Sequence, residues 1–155
     1  MSKERPFTPR AQELERILAG HQTQFRRPIK PQPDDLWFDT SATQRDSIRE
    51  MVCLFGISGD TLWLKEKWLI DCPYGPPEGC GNPDHIYYWE GEPAPDSFPM
   101  PWRPAITMPR WASRLTLRVL KVRVERMVRV ERMARAWEWV VDFEIVPQGY
   151  AGGTQ

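Results

Sequence analysis

The end of the chain alternates with a period of two. Trp137-Glu138-Trp139-Val140-Val141-Asp142-Phe143-Glu144-Ile145 sets Trp137, Trp139, Val141, Phe143 and Ile145 on one side of an extended strand. A second alternating run precedes it. Leu115, Leu117 and Val119 interleave with polar residues, and Val122 and Val124 resume after a slip at Leu120-Lys121 that reads as a bulge. Between the two runs Val122-Arg-Val-Glu-Arg-Met127 is repeated at once as Val128-Arg-Val-Glu-Arg-Met133. Six is an even number, so a strand keeps one face through both copies. The second copy also fits a helix, with Met127, Val130, Ala134 and Trp137 near one side, and periodicity alone leaves both readings open.

Prolines restrict the rest. Pro28, Pro31 and Pro33 exclude helix there and favour an extended rim segment. Residues 71–83 and 93–104 read as Pro-rich loops, and 34–60 carries no firm pattern. One helix is expected from Arg10 to Ala19, with Thr8 as its cap, Pro9 in its first turn and Gly20 just past its end. Ala11, Leu14, Ile17 and Leu18 share its apolar side. Thr61 to Trp68 and Ile86 to Trp89 read as short strands. The expected fold is therefore α+β but mainly β, a small barrel with an N-terminal helix and long Pro-rich loops. A length of 155 residues suits a single domain over 1–155, with 1–7 and 148–155 as flexible tails.

Charge is balanced overall at 21 basic and 21 acidic residues, but unevenly placed. Residues 34–100 are strongly acidic, whereas 101–135 carry ten Lys/Arg against Glu125 and Glu131. Such asymmetry either builds a basic face for a polyanion or is neutralised within the fold. No apolar run is long enough to span a bilayer, and Met1 to Pro6 precede no apolar signal core. Cys53, Cys72 and Cys80 form no tight pairs, so neither a disulfide framework nor a zinc site with His85 is expected. A cytoplasmic protein without cofactor or metal is the simplest expectation. With just His21 and His85 available, the sequence proposes no Ser/His/Asp arrangement, and it carries no glycine-rich phosphate loop.

Three blocks carry a family resemblance. Ile17-Leu18-Ala19-Gly20-His21-Gln22-Thr23-Gln24-Phe25-Arg26-Arg27-Pro28-Ile29-Lys30-Pro31-Gln32-Pro33, Gly59-Asp60-Thr61-Leu62-Trp63-Leu64-Lys65-Glu66-Lys67-Trp68, and Trp102 through Leu117 occur in that order, ahead of the Trp-rich final strand. They resemble the ASCH family, of PUA-like fold, in its bacteriophage branch. The resemblance implies a PUA-like β-barrel with a cleft beside the first block and an association with RNA. Some members hydrolyse acylated cytidine nucleosides or cut RNA, using a Lys and a Thr of the first block and a Glu on a later helix. This chain departs from that set. Gln22 stands at the Lys position and Phe25 at a Thr position, while Thr23 and Arg27 remain. The helix that should carry the Glu has no counterpart before the last strand. Gln does not shuttle protons at neutral pH and Phe has no hydroxyl.

The expected function is binding of RNA or a modified nucleoside, in the host cytoplasm if the chain is phage-encoded. Arg26, Arg27, Lys30 and Arg110 would hold phosphate, Gln22 and Thr23 would hydrogen-bond, and Phe25 would either stack on a base or fill the core. Arg103, Arg110, Trp111 and Arg114 form a second basic and aromatic candidate, against the reading that its tryptophans are core and its arginines solvated. The Arg-rich strand from Arg118 to Arg135 reads as a solvated face. Glu66 and Thr23 are the weak catalytic candidates, and a surface ion pair is the plain alternative for Glu66. A nucleoside amidohydrolase or ribonuclease, and an accessory protein that binds a host protein, remain alternatives.

Overall fold

A computed structural model describes residues 1–30, 53–70, 86–90, 102–129 and 134–147, with backbone alone at 127–129 and 134–136. Its centre is a five-stranded sheet in the order β1-β3-β6-β7-β2. These strands are β1 (Glu4–Phe7), β2 (Gln24–Pro28), β3 (Thr61–Leu64), β6 (Thr116–Arg129) and β7 (Ala134–Val146). β1 runs parallel to β3, and the other neighbours are antiparallel, so the sheet is mixed. A second, two-stranded sheet pairs β4 (Trp68–Ile70) with β5 (Ile86–Tyr88).

β6 and β7 form one long hairpin, in register from Thr116↔Val146 to Arg129↔Ala134. The repeat is thus strand through Arg129, and Val130 to Met133 lie outside the described residues. Only four positions separate the two strands. The expected bulge is present, because the register shifts between Val119 and Lys121. Its effect is to correct parity. Val119 points inward, and without the extra residue Val122 and Val124 would turn to the opposite face. Leu120 is left 46% exposed as the bulged position.

The sheet is strongly curled. Phe7 on β1 and Phe25 on β2, at opposite edges of the strand order, stack with ring centroids 4.3 Å apart. Phe143 and Phe55 close on Phe25 at 5.9 and 5.1 Å. Leu62, Leu64, Leu117, Val119 and Val141 complete this core. Helix α1 (Ala11–Leu18) covers one side of it with Leu14 and Ile17. Ala11 is exposed, and Leu18, assigned to the apolar side from sequence, is 37% exposed.

Three sequence expectations need correction. Residues 1–7 are not a tail, because Glu4–Phe7 is strand β1 and pairs with Thr61–Leu64. The helix begins later than Thr8 suggests. Its N-cap is Arg10, whose amide donates to the Glu13 carboxylate at 2.9 Å, so a reciprocal acid replaces the threonine cap. Its end is as expected. Gly20 has φ +73°, its amide reaches Ile17 O, and His21 N reaches Arg16 O at 2.8 Å. The strand expected over Thr61–Trp68 is split. After Leu64 the chain leaves the large sheet, Lys65 N bonds to Phe7 O, and Trp68 pairs instead with Arg103 and Tyr88. Ile145 sits beyond the reach of β2, whose pairing with β7 ends at Asp142, and is 36% exposed. The tail over 148–155 and the loop over 71–83 lie outside the described residues. No helix among the described residues is long and apolar enough to cross a membrane.

Candidate functional site

The opening motif straddles two elements. Arg10, Glu13 and Arg16 recur at helical spacing along the polar side of α1, while Gln22, Gln24 and Arg26 recur at strand spacing on β2 and its approach. The two rows face each other across an open groove of about 570 Å³, with His21 at the turn between them. Arg16 makes no ion pair among the described residues. Gln22 Nε2 donates to Gln24 O at 2.9 Å, and Gln24 Nε2 donates to Asp142 Oδ1 at 2.7 Å. Both amide nitrogens are engaged, so each side chain retains its carbonyl oxygen as an acceptor.

Strand geometry sends Arg26 and Arg27 to opposite faces. Arg27 turns inward, with its guanidinium carbon 5.3 Å from the Phe7 and Phe25 ring centroids. It forks onto the Glu13 carboxylate at 2.8 and 2.6 Å, both side chains being mostly buried. Burial raises the Glu13 carboxyl, but the Arg27 hydrogen bond, the Arg10 amide and both charges outweigh it and hold the pKa below the usual value. Arg27 is therefore the brace of one groove wall, not a free phosphate donor. Arg26 stays on the groove side and meets Glu125 Oε2 at 3.0 Å. Glu125 also accepts from Arg123 at 2.6 Å, Arg123 bonds to Asp142, and the chain of contacts returns to Gln24. The Arg123 hydrogen bond lowers the Glu125 carboxyl.

The remaining expected site residues lie elsewhere. Phe25 is 1% exposed with its ring stacked on Phe7, so it belongs to the core and is closed to a base. Thr23 is exposed and fixes β2 by accepting from Phe143 N at 2.9 Å through its backbone. It does not line the groove. Lys30 is exposed at the end of its described segment, without an ion pair among the described residues. Arg110 is exposed and meets Glu4 at 2.7 Å, Arg103 lies 5.0 Å from the Trp68 ring, and Trp111 is 45% exposed.

Glu66 is no surface pair. It is 3% exposed, and Arg114 binds its two oxygens at 3.1 and 2.8 Å while lying 4.3 Å from the Tyr88 ring. Burial pushes the Glu66 carboxyl up, with Arg114 opposing, and burial pushes Tyr88 up to about 12. This pair joins the two sheets and removes both Glu66 and Arg114 from the groove.

Of Gln22, Arg26, Arg27, Glu66 and Arg110, only Gln22 and Arg26 line one hollow, with Arg27 behind its wall. The sequence reading missed Arg10, Glu13, Arg16 and Gln24. Their signals were the i, i+3, i+6 row on the helix and the i, i+2, i+4 row on the strand. Cys72, Cys80 and His85 lie outside the described residues. Comparison with known proteins adds no family: no family model, no curated protein and no solved structure matches this chain.

Proposed function

We propose that this chain is a PUA-like binding module of the ASCH type, its curled sheet forming the barrel, and that it holds RNA or a modified nucleoside in the groove between α1 and β2. One observation carries the reading: Arg10, Arg16 and Arg26 line a single hollow together with Gln22 and Gln24. Guanidinium groups donate to phosphate in a planar fork, and amide oxygens accept from a base edge. A hollow of about 570 Å³ falls within the range of small-molecule sites. The two free amide oxygens favour a base with an exocyclic amino group, such as cytosine, over uracil, which presents a carbonyl there.

Hydrolysis has less support. Gln22 replaces the lysine of the resembling motif, Glu66 is buried against Arg114, and Glu13, the groove's own carboxylate, is held ionised by Arg27.

Isothermal titration of the full chain with cytidine 5′-monophosphate, uridine 5′-monophosphate and cytidine tests the reading. Cytidine monophosphate is expected to bind best, and Arg16→Ala to weaken it about tenfold, the worth of one charge-assisted hydrogen bond. No binding of any of the three, or an Arg16→Ala protein that binds like the parent, would overturn it. Release of cytidine from acetylated cytidine, dependent on Gln22 or Glu66, would instead establish the hydrolase.

A further inference from the structure

A second surface lies outside the residues that line the groove, on the outer face of the large sheet at β3. Leu62 and Leu64 of β3 face the core, so Thr61 and Trp63 face outward, beside Pro6 of β1 and Thr116 of β6. Trp63 is half-buried there and carries two cations over its ring. Lys65 Nζ lies 5.2 Å from the centroid and the Arg110 guanidinium carbon 6.0 Å. Both charged groups are also held by polar partners. Lys65 Nζ donates to Ile106 O at 3.2 Å, and Arg110 donates to Thr116 Oγ1 at 3.4 Å and meets Glu4 at 2.7 Å. The turn from Ala105 to Ala112 borders this platform and leaves Trp111 45% and Ile106 77% exposed. Trp111 stands edge-on to buried Trp68, with centroids 6.0 Å apart, and Arg103 lies over that same Trp68.

Each half of this arrangement has a plain structural use, and their combination is what asks for a ligand. Trp111 and Ile106 both stand open on the Ala105 to Ala112 turn. Here they border three ordered cations, Lys65, Arg103 and Arg110, against one described carboxylate in contact with them, Glu4. Positive charge set beside an open aromatic ring matches a single strand, whose phosphates take the charge and whose bases take the ring. Guanidinium planes laid on aromatic rings also extend the stack for an incoming base.

We propose that Trp63, Lys65, Arg103, Arg110 and Trp111 form a second contact surface for single-stranded RNA, distinct from the nucleoside groove. Trp111 offers its ring to a base. Trp63 is the platform that holds Lys65 and Arg110 toward the phosphates. Glu4 occupies Arg110 in the free protein and is displaced when a phosphate arrives. The choice of RNA as the ligand rests on the function proposed above, whereas the surface itself is defined by geometry alone.

The test is fluorescence anisotropy with a labelled ten-nucleotide oligouridylate, run beside calorimetry with cytidine monophosphate on the same full-length proteins. Trp111→Ala is expected to weaken the oligonucleotide by roughly 5- to 100-fold, the range for loss of one stacked base. Glu4→Gln is expected to tighten it several-fold by releasing Arg110, a gain that misfolding does not produce. Both variants should leave cytidine monophosphate affinity within about twofold, since neither residue lines the groove. Unchanged oligonucleotide affinity in both variants overturns the proposal. Equal competition by a ten-residue polyglutamate peptide also overturns it, assigning the face to an acidic protein partner. If the parent binds the oligonucleotide in this Trp111-dependent way yet ignores cytidine monophosphate, the surface stands and the groove reading falls.

Discussion

Glu13 joins stability to the site, and its replacement by Gln is the most exposed prediction of the structure. The carboxylate does three things at once. It accepts the Arg10 amide at the start of α1, it binds Arg27 in a fork, and it forms part of the groove wall. Gln keeps the shape and one acceptor oxygen but loses the charge and one arm of the fork. Hydrogen bonds to charged groups contribute about 1.5–3 kcal/mol. A capping interaction adds about 1 kcal/mol, part of which Gln retains. The Arg27 guanidinium, mostly buried over two phenylalanine rings, is left without its counter-charge, which raises the cost. We expect a loss of about 2–4 kcal/mol in urea unfolding, seen as a lower midpoint at constant m value.

The pH dependence has a defined sign. A folded pKa below the unfolded one contributes stability that is present above the unfolded value and is lost as pH falls through the folded value. The parent should therefore lose this contribution progressively below about pH 4.5. Glu13→Gln should lack that component, so the gap between the two proteins narrows in acid. A loss below about 0.5 kcal/mol, or a gap that stays constant from neutral pH to pH 3, would refute the reasoning.

Other expectations follow from single positions. Gly56→Ala places a Cβ 2.5 Å from Asp60 Oδ2 at φ +89°, and should cost at least about 2 kcal/mol in chemical denaturation. Gly59→Ala, at φ +95° but with nothing within 4 Å, should cost only about 1 kcal/mol, and equal losses would contradict the crowding at Gly56. Phe25→Ala should destabilise by about 3–5 kcal/mol as a core cavity, whereas a loss below 1 kcal/mol with weakened RNA binding would return Phe25 to the ligand. Glu66→Ala should cost about 3–5 kcal/mol by stranding Arg114, with the double replacement Glu66→Leu/Arg114→Met milder than the single one in thermal unfolding. An oligonucleotide held by Arg10, Arg16 and Arg26 should show a slope near −2 in log K against log salt, and a flat response would remove the phosphate contacts.

Much of the fold was legible because it is local. Gly20 marks a helix end that only a residue at positive φ closes well, and the slip at Leu120-Lys121 had to be a bulge if Val119 and Val122 were both to face inward. β1 was not legible. Glu-Arg-Pro-Phe is too short to show a period, and its parallel partner lies 57 residues away in register. The site was read less well for a related reason. Arg26 and Arg27 are adjacent in sequence, but adjacent strand residues point to opposite faces, so Arg27 shares the buried face of Phe25 while Arg26 does not. Which carboxylates would claim the arginines is a tertiary fact. Nothing in the spacing of Glu13, Glu66, Glu4 or Glu125 links them to Arg27, Arg114, Arg110 or Arg26 before the chain folds.

The most direct test of the account is a titration of the ¹⁵N-labelled chain with cytidine monophosphate, following backbone and side-chain amide resonances. Saturable shifts should cluster at the Gln22 and Gln24 side-chain amides and along Arg10 to Arg16, leaving Arg103 and Trp111 in place. Shifts absent from those residues, or confined to the face around Trp111, would contradict a nucleoside site between α1 and β2.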